Sequence, residues 1–587
     1  MNPVVFTLIR NSLEVIVEEM TLTMVRTAYS GSIREAMDFS AAICGGDGQM
    51  IAQGPCLAVH LGSIPDAMEA VFAKFDGDMA LGDVFMLNDP YTGGMHLPDI
   101  FLFKPIFGAQ GILAFLVLVA DHVDVGGSVV GSRGVANAEV YAEGLRIPPV
   151  RLMRGGEPVD DIWDLVRQNT RMPHMVLGDL RSCLASFHSA ERLLSETVER
   201  YGEGDVLAYF EDSLAYSEAA LRRVIRDLPD GSYTFTDWLD DGVTTPDPLR
   251  IQLRLEVRGD MLHFDFDGTS PQVPSAINST FSFTKSAVYA AVRTLLPSDV
   301  PNNAGIFRPI HVQAPAGTVV HAREPAAVAQ RGVTGSRAVS ATLGALAQVV
   351  ADRVPAADEG GISSVRITGH GPDGRRYVVW DSVVGTWGAR PTKDGVDGCS
   401  NFAMNVANAS VEILEADYPI LIREYGLRSD SGGAGTYRGG LGLVRQWELL
   451  DGEAEFILRA DRTRFPPWGL NGGLPGEGSC TVLNPDTDAR TLPSKAQIRI
   501  RKGDRVLHHQ ASGGGYGDPR QRDPELVWRD WRNDKVSLEQ ARSVYGVVIV
   551  DGVLDRNATE IERKRPPETQ TNEGRHDHGL QSQVCSN

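Results

Sequence analysis

The sequence predicts a mixed α/β protein built in several lobes, with mixed sheets, flanking helices and a β-rich C-terminal region. Three stretches carry that expectation. Residues 112–120 form an unbroken apolar run rich in branched side chains, with the length of a strand buried on both faces. Residues 3–29 set Leu8, Ile9, Leu13, Ile16, Val17, Met20, Met24 and Val25 at three- and four-residue steps, the period of an amphipathic helix. Residues 251–257 and 261–267 alternate apolar and polar side chains around Arg258-Gly259-Asp260, a hairpin with one polar face.

Taken in order, the first helix ends at Ser30-Gly31-Ser32. Residues 33–43 and Met50-Ile51-Ala52 then read as strands joined by the turn Gly45-Gly46-Asp47-Gly48. A helix begins near Ser63, with Asp66 in its first turn, where the helix dipole favours an acid. Residues 1–160 make an N-terminal α/β lobe. Residues 161–230 turn helical, with Gly202-Glu203-Gly204-Asp205 between two long segments and Asp205 as the expected cap of the second. Residues 231–360 hold the hairpin, a helix at 275–295 and a small-residue helix at 335–352. Residues 361–520 carry strands and glycine turns. Residues 521–587 form a charged helical extension, then a polar, disordered tail from Lys564 that includes His576 and His578.

Composition limits the partners. At 587 residues the chain can bury several cores, and 42% hydrophobic with 22% charged residues is ordinary for a globular protein. A net charge of -20 makes nucleic acid and anionic membranes poor partners. The six cysteines are scattered with no CxxC pair, which argues against a thiolate zinc site or a disulfide framework and for a reducing cytoplasm. Glu14, Glu18 and Glu19 interrupt the N-terminal apolar residues too early for a secretory signal. No run reaches the roughly 20 apolar residues of a membrane helix.

The chemistry gathers at the two ends of the 112–120 run. One cluster is Asn88-Asp89-Pro90-Tyr91-x-Gly93-Gly94-x-His96-x-Pro98-Asp99; the other is Asp121-His122-x-Asp124-x-Gly126-Gly127. His96 and Asp99 are three residues apart in a segment suited to a tight turn, and His122 and Asp124 share a side if the strand continues. Imidazole with carboxylate and no thiol is a donor set for Mn, Fe or Zn. Each residue taken singly is equally a cap or a satisfied turn residue. Glu35 and Asp38 are acids beside an apolar strand, and an ion pair of Glu35 with Arg34 or Arg26 explains Glu35 as well as a site role does. The glycines of residues 126–134 offer backbone N–H groups to an anion or a carbonyl. GxxxxGK[ST] occurs nowhere, so no ATP site is expected in this chain, and residues 431–442 read as a structural or interface loop. With no GxSxG and no cysteine in a nucleophile motif, nucleophilic catalysis is not expected, and a metal can do the work instead.

The wording NDPYTGGMHLPD followed by DHVDVGG resembles the B subunit of the hydantoinase/oxoprolinase family. Other pieces agree in order: Arg34-Glu35-x-x-Asp38-Phe39-Ser40, His60-Leu61-Gly62-Ser63-Ile64, Gly178-Asp179-Leu180, Pro301-Asn302-Asn303-Ala304-Gly305 and Ser512-Gly513-Gly514-Gly515-Tyr516-Gly517-Asp518-Pro519. The resemblance implies a metal-dependent subunit of an ATP-dependent enzyme opening a small cyclic amide such as a hydantoin, a lactam or oxoproline. It implies an A-type partner in a hetero-oligomer with two or more copies of each. That partner uses ATP and Mg to phosphorylate the amide oxygen and passes the intermediate to this chain. It further implies His96, Asp99 and His122 as metal ligands, Asp124 as a fourth ligand or an orienting group, Glu35 as general base, and Asp89 as a residue orienting a ligand or its loop. Many relatives read His-His where this chain has Asp121-His122, which leaves metal and substrate open. The alternatives are the large subunit of an ATP-dependent ketone carboxylase and a scaffold subunit without catalysis.

Overall fold

The computed structural model describes residues 2–565 apart from Pro55, Cys56, Ile362, Pro372, Asp373 and Phe402. The expected polar tail beyond Arg565, with His576 and His578, lies outside the described residues. Two compact units result. Among the described residues, one falls within Met1–Asp237, Asp241–Ala345 and Phe402–Ala409, and the other within Trp238–Asp240, Leu346–Asn401 and Ser410–Asn587.

The apolar stripe near the N-terminus becomes α1 (Pro3–Thr27), which buries Ile9, Leu13, Ile16, Val17, Met20 and Met24. Its start is set by Asn2, whose side chain accepts the Val4 N–H at 2.9 Å, and by Pro3 in the first turn. Residues 33–43 were expected as one strand. Instead a helical turn, α2 (Gly31–Arg34), comes first and Met37 takes φ 57°, so β1 (Phe39–Gly45) begins only at Phe39. There follow β2 (Met50–Gln53), α3 (Ala58–Leu61), α4 (Ile64–Phe75), β3 (Val84–Leu87), β4 (Asp99–Gly108), β5 (Gly111–Asp121), β6 (Val150–Arg154) and β7 (Glu157–Pro158). The seven strands form one sheet in the order β2-β1-β5-β4-β3-β6-β7, each neighbour antiparallel.

Every residue of β1 and every residue of β5 from Leu113 onward is buried. The centre of this sheet is therefore covered on both faces, as the continuous apolar run requires. Helices α5 (Asp160–Asn169), α6 (Pro173–Tyr201) and α7 (Glu203–Arg226) follow, and α6 lies against α1, β4 and β5. Gly202, at φ 85°, breaks α6 from α7. Asp205 is not the cap foreseen for α7 but an acid of its first turn. Phe72 and Phe75 of α4 meet Phe115 and Phe85, with ring centroids 5.5 and 4.7 Å apart.

The chain then builds a four-stranded sheet from β8 (Gly231–Leu239), β9 (Leu249–Arg258), β10 (Met261–Asp265) and β11 (Ile310–Gln313), with α8 (Phe281–Arg293) between the last two strands. α9 (Gly332–Val350) is the small-residue helix, and Gly335 admits the Phe283 ring where a Cβ would stand 2.0 Å from it. Among the described residues no helix is long and apolar enough to cross a membrane.

The second unit holds β12 (Ser363–His370), β13 (Arg376–Val383), α10 (Val411–Asp417), β14 (Ile420–Leu427), β15 (Leu443–Leu449), β16 (Glu453–Arg459), β17 (Cys480–Leu483), β18 (Arg490–Leu492), β19 (Lys495–Arg501) and β20 (Arg505–His509). They form two sheets, β13-β12-β16-β19 and β14-β15-β20-β17-β18. Its glycine loops interlock through backbone hydrogen bonds: Gly433 N–H to Gly513 O at 2.8 Å, Gly513 N–H to Gly440 O at 2.9 Å and Gly515 N–H to Leu474 O at 2.9 Å. Within residues 431–442 the N–H groups of Gly433, Gly439 and Gly440 are spent on the Gly513, Gly433 and Trp387 carbonyls, as in a structural loop and not a phosphate cradle. α11 (Pro524–Arg532), α12 (Leu538–Ser543) and α13 (Arg556–Lys564) close the described chain. Cys44 and Cys183 are buried thiols and Cys399 is an exposed one. Cys480 is disulfide-bonded, which the scattered cysteines did not announce.

Candidate metal centre

The site is built by the register of one hairpin. β4 and β5 pair Gly108 with Gly111 and Phe107 with Ile112; beyond them Ile106 pairs with Ala114, leaving Leu113 as the extra residue of a bulge. That bulge moves the register by one, so Asp99 stands opposite Asp121 and not opposite Ala120. On the other side of β5, Phe39 pairs with Ala120 and the Asp121 N–H donates to Asp38 O at 3.0 Å. Asp38, Asp121 and Asp99 are therefore side by side at one end of three adjacent strands, and all three are buried.

Like charges directly opposite one another destabilise a strand pair, and burial adds a desolvation cost. The chain supplies two guanidinium groups against this: Arg133 pairs with Asp121 and Arg331 with Asp99. Burial alone would raise the Asp99 carboxyl, but its neighbours, the Arg331 guanidinium first, outweigh it and hold Asp99 below the usual carboxylate range. At Asp38 desolvation prevails and raises the carboxyl, with His60 Nε2 at 3.9 Å.

His96 completes the cluster. Burial, then the Arg331 charge, holds its imidazole down to about 3, so the ring is neutral at pH 7. A neutral imidazole has one N–H. Yet Nδ1 lies 3.0 Å from the Ala329 carbonyl oxygen, while Nε2 lies 3.2 Å from Asp99 Oδ2 and 3.6 Å from Asp121 Oδ2. Both nitrogens face acceptors. With the proton on Nδ1, the Nε2 lone pair looks at two carboxylates, an arrangement that a bound cation resolves. One ligand atom from each of His96, Asp99 and Asp121 lies within 4.8 Å of the other two. One imidazole and two carboxylates suit a divalent Mn, Fe or Zn ion.

His122 is close to this cluster but is not one of the three. Its ring is buried, neither nitrogen has a hydrogen-bond partner among the described residues, and burial lowers its pKa against the pull of Asp179 and Asp99. Asp121, which the sequence reading did not name as a candidate ligand, is the carboxylate that the hairpin brings to His96 and Asp99.

A family model described as hydantoinase B/oxoprolinase matches residues 2–519. The chain belongs to the hydantoinase B/oxoprolinase family. Among its relatives, the caprolactamase subunit beta of Pseudomonas jessenii is 34% identical over 577 residues, 96% of this chain and 99% of that protein. 5-oxoprolinase 1 of Arabidopsis thaliana is 29% identical over 529 residues, 86% of this chain and 41% of the plant protein. The crystal structure of ATP-dependent caprolactamase from Pseudomonas jessenii matches with a TM-score of 0.89 at 32% identity, over 96% of this chain and 100% of that one. A nucleotide-free acetone carboxylase structure gives a TM-score of 0.87 at 18% identity, over 96% of this chain and 82% of that one, which shows a shared fold.

In this hydantoinase B family member the remaining motif residues hold the loops around the cluster. Asp124 accepts from the N–H groups of Gly126 (3.1 Å), Gly131 (2.9 Å) and Arg171 (2.8 Å) and from the Arg171 guanidinium (3.1 Å), so both its oxygens are engaged in shaping residues 124–134. Asp89 accepts the Tyr91 N–H at 3.0 Å and pairs with Arg146 at 2.8 Å. Glu35 is half-buried and paired with Arg34 at 2.7 Å, as the ion-pair reading has it; Asp38 is the acid beside the cluster. Gly94 has to be glycine, because a Cβ there would stand 2.7 Å from the Asn88 and Asp89 carbonyl oxygens.

Glu143 was not singled out by any sequence signal. Its Oε1 accepts the Val328 and Ala329 N–H groups at 2.8 and 2.7 Å, which holds the segment whose Ala329 carbonyl, in the next peptide, faces His96. Burial pushes its carboxyl up to about 8.

Proposed function

We propose that this chain is the metal-bearing B subunit of an ATP-dependent hydrolase that opens a cyclic amide such as a hydantoin, a lactam or oxoproline. One observation carries the reading: a neutral His96 with acceptors at both nitrogens, facing two buried carboxylates, in a chain of this family. A divalent Mn, Fe or Zn ion held by His96, Asp99 and Asp121 supplies Lewis acidity to a carbonyl or to water.

The chain's own residues do the rest. Ala329 O keeps the His96 proton on Nδ1 and so leaves Nε2 free to ligate. Asp38, buried beside Asp121 and raised by desolvation, is placed to take or return a proton. Asp124 and Asp89 hold the two glycine loops in shape, and His122 lines the cluster.

An unactivated amide is a poor electrophile, so the reading assigns ATP and Mg to an A-type partner. That partner phosphorylates the amide oxygen and passes the activated intermediate on, within a cytoplasmic hetero-oligomer holding two or more copies of each subunit. The missing GxxxxGK[ST] motif supports that division.

The test is reconstitution with the partner, ATP, a panel of cyclic amides and labelled bicarbonate, alongside metal analysis of the pure chain. Ring opening that needs both subunits and ATP is the expected result. Robust ring opening or ATP hydrolysis by this chain alone, or the absence of stoichiometric metal, overturns the reading; label fixed into an acid replaces it with carboxylation.

A further inference from the structure

We infer that His263 and His311 form a second metal site, which takes Zn, Ni or Cu and clips strand β11 to β10. The site shares no residue with the centre above and does not rest on the reading of it.

Strand register puts the two imidazoles together. β10 pairs with β11 in parallel, with His263 opposite His311, and with β9 antiparallel, with His263 opposite Glu256. Side chains alternate along a strand, so these three share one face of the sheet, while Leu255, Val257, Leu262 and Phe264 are buried on the other. The His263 and His311 ring centroids are 5.5 Å apart, with their planes at 60°. Two imidazoles on one ion, at metal–nitrogen bonds of about 2.0–2.1 Å, put their ring centres roughly 4.5–6 Å apart. Side-chain torsions alone therefore close the site.

Both rings are also unspent. Among the described residues neither forms a hydrogen bond or an ion pair, and both line a cavity of about 370 Å³ with Arg254, Arg258, Asp265 and Gln313. His311 is exposed and His263 half-buried, so an ion reaches them from solvent. The guanidinium groups on this face are balanced, Arg254 by Asp265 at 2.6 Å and Arg258 by Glu256, and so do not oppose a cation. Burial, then His311 and Arg258, lowers the His263 imidazole against the pull of Glu256, which favours the neutral form that ligates. Imidazole without thiol suits Zn, Ni or Cu and not Mg, which prefers oxygen.

The strand so clipped is a weak one. β11 has four residues, lies at the edge of its sheet and pairs only with β10. Parallel pairing is slightly less stable per residue than antiparallel pairing, and an ion across the two strands adds a link there. Two protein ligands hold an ion more loosely than three, so dialysis empties this site and leaves the central one filled.

The test titrates the dialysed full chain with Zn at neutral pH against a chromophoric chelator, with Mg as a silent control. Wild type is expected to take up one Zn more than His263→Gln or His311→Gln. At about 100 times its Kd, Zn raises the melting temperature of wild type by roughly 5 °C more than that of either variant. In wild type Zn also shields both histidines from diethyl pyrocarbonate, read by peptide mass mapping, which carries the test if a variant does not fold. Equal uptake by the three proteins, or equal modification of the histidines with and without Zn, overturns the site. One extra Zn with no added melting temperature overturns the clip. Failure of the central metal reading lowers all three totals alike and leaves their difference untouched.

Discussion

Asp99→Asn is the sharpest perturbation of this centre. The substitution keeps the shape of the side chain and removes the charge. Arg331 then faces a neutral amide while buried, with Asp99 its only carboxylate at hydrogen-bond range among the described residues. Removing one partner of a buried ion pair costs about 3–5 kcal/mol, because the remaining charge is left uncompensated. At about 2 °C per kcal/mol for a large unit, the melting temperature of the metal-free protein falls by roughly 6–10 °C. Arg331→Met alone leaves Asp99 beside Asp121 without its guanidinium and costs a similar amount. The double variant Asp99→Asn/Arg331→Met removes both charges together and recovers a large part of the loss, a coupling that a double-mutant cycle measures. The assay is differential scanning calorimetry of the four proteins after chelator treatment, with metal content determined before it. Metal stoichiometry falls from one to zero in both variants that lack the Asp99 carboxylate. An Asp99→Asn protein that melts within a degree of wild type and still holds its metal refutes the reasoning, since the carboxylate then neither balances Arg331 nor ligates.

The other predictions separate neighbouring roles. Asp121→Asn abolishes stoichiometric metal, whereas His122→Gln lowers affinity only about 10- to 100-fold, as for a group outside the coordination sphere; metal titration ranks them, and the reverse order makes His122 the ligand. Glu143 is raised from 4.5 to about 8 in the folded chain, so the native state keeps a proton that the unfolded state releases. Its contribution is therefore intact below about pH 4.5 and lost as pH rises through about 8. Glu143→Gln keeps the acceptor and cannot ionise, so its stability relative to wild type grows across that window in denaturant melts at pH 5 and pH 8.5. A constant difference refutes the burial argument. Gly439→Ala sets a Cβ 2.0 Å from Gly513 O in the second unit, so it lowers thermal stability while metal content stays at one; loss of metal in a protein that still melts normally would reverse that assignment.

Much of this protein is local and was readable from the chain. The 112–120 run reads as a strand covered on both faces, the N-terminal stripe as a helix with one buried side, and the ordered motifs around His96 and Asp99 point to a family. The grouping of His96, Asp99 and Asp121 was not local in that way. His96 and Asp99 are three residues apart, and their closeness follows from a turn. Asp121 is 22 positions beyond Asp99 and reaches it by cross-strand pairing, and a plain register would have put Ala120 there instead. One extra residue, Leu113, decides which side chain meets Asp99, and a bulge within a continuous apolar run leaves no mark in composition or period. Arg331, Glu143 and the Ala329 carbonyl come from more distant segments, so their place at the site depended on the packing of α9 and its preceding loop. The sequence by itself determined which segments are buried and which donor chemistry is present, because both follow from local residue types. Only the tertiary structure decided which donors share a centre, because that depends on strand register and on long-range charge pairing.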